Sequence, residues 1–244
     1  LYAAQQEEYP VLELSSSMDI GEHPAGLIGD IYAITNADSV RMFKNDRFVA
    51  EFTESPYENM PHGPILIDDF VGNQLVEDGA VPEYAASMVK QILLAANRFG
   101  LQTLPQEVLE QMQQCEEQFG ITETDFMALY GRYIGNWGQE VPRYRFEAIK
   151  DGKVVSVITR QPMKQVQLRL NSSHTNLTER HTYDVAAVRI EARSDSGNLL
   201  PFYQEPVQLT VTGDIALIGP SLISLKGGMG GTYVKSLGRE GQGT

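Results

Sequence analysis

Four glycines in five positions beside a lysine, in "SLKGGMGGTYVKS" at residues 224–236, have the texture of a loop that cradles a phosphate. Such a loop needs glycines where the backbone turns sharply and presents N–H groups, and a helix whose N-terminus then faces the anion. The order here is wrong for that. Lys226 precedes Gly227 instead of following the last glycine, Gly231 is followed by Thr232 and Tyr233, and a dinucleotide fingerprint would require glycine where Tyr233 stands. The β-branched and aromatic run "TYVKS" predicts a strand. The glycines are therefore read as a bend between strands.

Carboxylates could do hydrolytic acid and base work if two of them shared a concave site. Asp68 and Asp69, in "PILIDDFVG", are the closest pair in sequence. Neighbouring side chains on a strand point to opposite faces, so this pair is expected to cap a turn or meet solvent. Asp19, Glu22 and His23, in "MDIGEHP", have the donor types of a small cation site. No second histidine-rich segment completes a ligand set, and His62, His174 and His181 are scattered. No histidine stands with a serine or cysteine in a recognisable nucleophile context. The sequence thus assigns no catalytic residue, no metal ligand and no cofactor. Asn171 and Asn176 open glycosylation tripeptides, a short pattern that would mean nothing in a bacterial protein.

The aromatic stretch "ALYGRYIGNWGQE", residues 128–140, is the most suggestive for binding. Tyr130, Tyr133 and Trp137 are separated by glycines, and aromatic faces suit stacking on the apolar face of a sugar or on a partner. The ordinary fate of rings at helical spacing is core packing, which takes precedence here. As carbohydrate-binding residues, Trp137, Tyr130 and Tyr133 are the candidates.

The elements that must position these residues follow from periodicity. Residues 11–53 alternate apolar and polar side chains, and "KNDR" supplies a tight hairpin turn because Asn45 and Asp46 tolerate positive φ. That predicts part of an antiparallel sandwich with too few strands to close. From Pro82 to Gly100, Tyr84, Met88, Ile92, Ala96 and Phe99 recur at helical spacing. A second helix carries Val108, Met112, Cys115 and Phe119, and Thr122 with Asp125 has the spacing of a capping box at the start of a third. Strand patterning returns at "YRFEAIKDGKVVSVITR", with a hairpin at "KDG", and continues through "KQVQLRL", "YDVAAVRIEARS", "EPVQLTV" and "GTYVKS". In "KQVQLRL" the side chains of Val166, Leu168 and Leu170 face one way. The fold class expected is mainly β with an α-helical insertion: two immunoglobulin-like β-sandwiches, the first interrupted by a three-helix unit. The first sandwich takes residues 1–56 plus 141–162, the helical insertion 57–140, and the second sandwich, cut short at its C-terminus, 163–244.

The chain of 244 residues is long enough to bury a proper core. Its 19 basic against 32 acidic residues give a formal charge of −13, which repels nucleic acids and anionic membranes. The lone Cys115 rules out an intrachain disulfide and a cysteine-based zinc site. No apolar run reaches the roughly 18 residues of a membrane span, so a soluble protein is expected. The start "LYAAQQEEYP", without methionine, and the end "GREGQGT" lead us to expect a piece of a longer polypeptide.

Taken in order, "DIYAITNADSVRMFKNDRFVAEF", "FEAIKDGKVVSVIT" and "VQLRLNSSHTNL" with "YDVAAVRIEARSDSGNLLPFYQEPVQLTVTGDIALIG" resemble a known arrangement. It is the region after the catalytic barrel in bacterial family 2 glycoside hydrolases of the β-galactosidase type. The blocks cover about two thirds of the chain, and the last is the most specific. The resemblance implies that the parent polypeptide hydrolyses a β-glycoside, foremost a β-galactoside, by a retaining mechanism with two glutamates. Those glutamates would lie in a barrel upstream of Leu1, so none carries over to this chain. The partners implied are that upstream catalytic barrel, a carbohydrate, and a second copy of the chain in a homo-oligomer, in the bacterial cytoplasm or exported. The stretch from about Tyr57 to Glu140 departs from the family pattern, which has a short strand connection there. It is expected to edge the active site or to make subunit contacts.

Overall fold

The computed structural model describes residues 1–18, 28–53, 55–57, 59–135 and 141–244. The protein is mainly β, with the α-helices among the described residues confined to one stretch, and divides into two compact units, Leu1–Pro162 and Met163–Thr244.

The first unit begins with β1 (Leu12–Leu14), β2 (Ile31–Thr35), β3 (Ser39–Lys44), β4 (Arg47–Phe52) and β5 (Ile65–Ile67). Four helices follow, α1 (Gln74–Glu77), α2 (Glu83–Phe99), α3 (Gln106–Phe119) and α4 (Glu123–Tyr133), before β6 (Tyr144–Lys150) and β7 (Lys153–Arg160) return to the sheet. The strands form two antiparallel sheets, β1-β2-β5 and β4-β3-β6-β7. Period-2 alternation puts Ile31 and Ala33 of one sheet and Val40, Met42, Tyr144, Phe146 and Ala148 of the other into one buried cluster. Both hairpins use the turn residues their sequences offer. Asn45 and Asp46 take φ of 49° and 64°, and Asp151 and Gly152 take 51° and 73°, which matches the right-handed twist of the flanking strands.

The strand β5 lies within the stretch assigned to helices and pairs with β2, so that stretch enters through the sandwich. Three residues are too few to show a period. The helices share the sandwich core, since Ala85, Val89, Ile92, Leu93, Phe126, Tyr130 and Tyr133 belong to the same buried cluster as the strand residues. On α2 the buried face is Ala85, Val89, Ile92, Leu93 and Ala96, while Tyr84 and Phe99 are exposed. Successive steps of four residues overshoot a full turn by about 40°, so a stripe drawn through 84, 88, 92 and 96 slides off the core face at its end. Tyr84 instead packs against Phe119 of α3, with ring centroids 5.4 Å apart.

The polar block "TNADS" brackets the sandwich. Buried Asn36 accepts from Val11 N at 2.8 Å and donates to the carbonyls of Gln6 and Tyr9 at 2.7 and 2.8 Å. Thr35 Oγ1 donates to the Val11 carbonyl at 2.6 Å, and Asp38 accepts from Asp151 N at 2.8 Å. These bonds tie the N-terminal segment and the β6–β7 turn to one strand end.

The second unit contains β8 (Val166–Ser172), β9 (Val185–Ser194), β10 (Pro206–Gln208), β11 (Ile215–Ile218), β12 (Leu222–Ser224) and β13 (Met229–Ser236). A four-stranded antiparallel sheet, β11-β13-β9-β8, is accompanied by the ribbon β10-β12. The glycine-rich stretch is the predicted bend. Gly227 and Gly228 turn at φ 61° and 73° while Lys226 and Met229 exchange backbone hydrogen bonds of 2.8 and 3.1 Å. A Cβ at Gly228 would stand 2.3 Å from the Leu200 carbonyl oxygen, so this glycine admits a neighbouring loop. Register places Leu168 opposite Ala192 and Leu170 opposite Ile190, so the three apolar residues of β8 do share a face. They remain exposed, however, whereas Ile190 and Ala192 beside them are buried.

Candidate functional site

Helix α4 carries two of the three aromatic candidates. Its start is fixed by Thr122, whose hydroxyl accepts from Asp125 N at 3.3 Å while Asp125 Oδ2 accepts from Thr122 N at 2.8 Å. The helix then directs Tyr130 and Tyr133 into the core, where both are buried. The Tyr133 hydroxyl donates to Asp78 Oδ2 at 3.0 Å, and the Arg132 guanidinium lies 5.1 Å above its ring. Asp78 also receives Arg47 at 2.8 Å and Arg132 at 3.1 Å, so one carboxylate gathers β4, α4 and the end of α1. Desolvation alone would raise the Asp78 carboxyl, but hydrogen bonds from Arg47 and Tyr133 hold it below the usual range. Tyr133 lies wholly in the core, and Tyr130, although buried, reaches the wall of the cleft among α2, α3 and α4. Trp137 lies outside the described residues, as do Asp19, Glu22 and His23.

Lys44 closes the other end of α4. Its Nζ donates to the Tyr133 carbonyl at 2.7 Å, and burial pushes its pKa down to about 8. An amine so shifted has the nucleophilicity that covalent catalysis exploits. Lys44 is nevertheless buried and lines neither cleft described below, and it acts as the cation at a helix C-terminus.

The adjacent aspartates lie just past the end of β5 and have different surroundings. Asp69 Oδ1 accepts from Val71 N and Gly72 N at 3.0 and 2.7 Å, and its other oxygen meets Lys90 at 2.8 Å, which is turn capping. Loss of water around the Asp68 carboxyl, and then the charge of Asp30, raise its pKa. A raised carboxyl beside a second one is the pattern of an acid and base pair. Asp30, however, is paired to Arg98 at 2.5 Å, and neither acid lines either of the two clefts described below. Among the described residues no group of three potential ligands is placed to hold a metal ion, and no helix is long and apolar enough to cross a membrane.

Two clefts stand out. The first, of about 290 Å³, lies among α2, α3 and α4 against Leu93, Leu104, Met112, Phe126 and Met127, with Glu116 and Glu123 at its border. Its wall is mostly apolar, with Phe126 and Tyr130 as its aromatic members. The second, of about 500 Å³, lies on the sheet of the second unit and is bounded by Asn171, Ser173, Ala187, Arg189, Gly231 and Tyr233. Sequence reading used Tyr233 only as evidence for a strand. The signal it missed was alternation: Thr232 is buried, so its neighbour Tyr233 must point out of the opposite face. The Asp78 cluster was not legible, because its bonds join residues 31, 54 and 55 positions apart.

Comparison with known proteins supplies a relationship. A β-galactosidase from Rhizobium radiobacter is 30% identical over 111 residues, which cover 42% of this chain and 75% of that protein. The fold matches a β-glycosidase from Bacteroides vulgatus with a TM-score of 0.53 at 13% identity, over 99% of this chain and 23% of that one. A glycosyl hydrolase family 2 member from Bacteroides cellulosilyticus DSM 14838 gives a TM-score of 0.49 at 11% identity, over 97% of this chain and 26% of that one. No protein-family model matches. The chain spans about a quarter of the length of these two solved structures.

Proposed function

The chain belongs to the β-galactosidase family of glycoside hydrolases, and on that premise we propose that it is a noncatalytic accessory region of a larger family 2 enzyme. Its sandwiches brace a catalytic barrel carried elsewhere in the same polypeptide, and its helices border access to that barrel. The parent enzyme cleaves β-glycosidic bonds, foremost those of β-galactosides, with a retaining pair of glutamates.

The observation that carries this reading is the employment of the acidic side chains. Asp69 caps a turn, Asp78 gathers two arginines and a tyrosine, Glu51 holds Ser39 and Arg41, and buried Glu191 is paired to Arg193 at 2.8 Å. A retaining glycosidase instead keeps two carboxyls about 5 Å apart across an open site. These acids are spent on architecture.

The test uses the purified chain. It should release no chromophore from o-nitrophenyl β-D-galactoside; turnover that scales with its concentration would overturn the noncatalytic assignment. Supplied in trans to the separately expressed remainder of its polypeptide, it should raise that partner's melting temperature. An unchanged melting temperature would sink the bracing role.

A further inference from the structure

The geometry points to a saccharide-binding platform on the outer face of the second unit's main sheet, centred on Tyr233. The face is defined by register. Tyr233 of β13 stands opposite Ala187 of β9, and Gly231 stands opposite Arg189. Asn171 of β8 stands opposite Arg189 on the other side, and Ser173 N donates to the Ala187 carbonyl at 2.9 Å. Residues opposite one another in antiparallel strands point to the same face. Two rows result, Ser173, Ala187 and Tyr233 in one and Asn171, Arg189 and Gly231 in the next.

The residue types in those rows have a common consequence. Tyr233 is 55% exposed; Ile218 of β11 stands opposite it on one side, while on the other side Ala187 stands beside it and Gly231 two positions before it, the smallest side chains available. The ring therefore stands clear of the sheet with open space at its side, which is the cleft of about 500 Å³. The negative π-face of such a ring attracts the weakly positive axial C–H groups of a pyranose. From Tyr233 to Asn171 the platform crosses two inter-strand spacings, about 10 Å, a span that a disaccharide covers. At the far side Asn171 and Arg189 supply amide and guanidinium donors for sugar hydroxyls. The Arg189 side chain is 69% exposed, and its guanidinium lies 3.8 Å from buried Glu191, which leaves it uncovered. An apolar ring at one end and donors at the other suit a neutral sugar. A net charge of −13 disfavours polyanions as the occupant.

This inference rests on the family reading only for the choice of sugar, and it relocates carbohydrate contact from the helical stretch to the sheet. The experiment is an NMR titration of the isotopically labelled full chain with lactose, with glycerol at equal concentration as the control. Saturable shifts are expected at the amides of Gly231, Tyr233 and Arg189, with none from glycerol. Tyr233→Ala should weaken binding about tenfold, the factor that roughly 1.4 kcal/mol of ring contact converts to, and Tyr233→Trp should retain it. Arg189→Ala, which leaves the ring in place, should weaken binding with the Tyr233 shift preserved. Silence at these amides, equal shifts from glycerol, or shifts confined to the Trp137 indole would each overturn the platform. None of those results bears on the galactoside assay above, so the two readings fail separately.

Discussion

Among the described residues no carboxylate pairs with buried Lys44, a cost the fold carries at neutral pH and one that can be measured. Lys44 is 6% exposed, and its amine faces the Tyr133 carbonyl and, at 5.9 Å, the ring of Tyr144. Both contacts favour the cation, yet desolvation outweighs them, and its pKa falls from the ordinary 10.5 to about 8. The unfolded chain therefore holds this proton up to about pH 10.5, whereas the folded one gives it up near pH 8. Between those values the unfolded state binds more protons, so stability must rise with pH, by roughly 3 kcal/mol in all. Below about pH 8 both states are protonated and the burial penalty stands in full. Tyr133 acts in the opposite sense, since burial first and its bond to Asp78 second push its phenol up to about 12. Above about pH 10 the unfolded phenol ionises first and stability falls. Urea denaturation from about pH 7 to about pH 10 should thus show more rise in the natural chain than in Lys44→Met. Parallel curves for the two proteins would refute the buried-cation account.

Elements differ in how far they could be read before being seen. Helix α4 was legible because its start is local: Thr122 and Asp125 satisfy each other's orphan backbone donors across a single turn. Thr122→Ala should cost about 1 kcal/mol in chemical denaturation, and Thr122→Ser should restore most of it. Equal stability of all three proteins would show that the box contributes nothing. The hairpins at Asn45–Asp46 and Asp151–Gly152 were legible for the same reason, since positive φ restricts residue type. Helix α1 and strand β5 were not, being short and fixed by distant partners, as β5 is by Ala33, Tyr32 and Ile31 of β2. Which side of α2 is buried was half legible, because Ile92 and Ala96 lie on both the drawn stripe and the true face. Alternation marks the side a strand exposes as well as the side it buries: Thr232 is buried and Tyr233 beside it is 55% exposed.

At the scale of the whole molecule, the two units differ in what holds them together. Among the described residues the buried apolar cluster of the first unit has thirty members, from Leu12 to Ala148, and that of the second has four: Ile190, Ala192, Val207 and Leu225. The clusters share no residue, so each unit has an apolar core of its own. The second unit also leaves Leu168 and Leu170 exposed on the same face as Ile190 and Ala192, which forgoes apolar burial that a fuller sandwich would gain. Heating should therefore give two transitions, with residues 163–244 unfolding first. The single tryptophan, Trp137, falls within the sequence range of the first unit, so its fluorescence should report only the upper transition, while calorimetry reports both. Lactose, if held at Tyr233, should raise the lower transition alone, because a ligand stabilises only the fold that binds it. One transition seen identically by fluorescence and calorimetry would mean that the two cores melt as a single cooperative body.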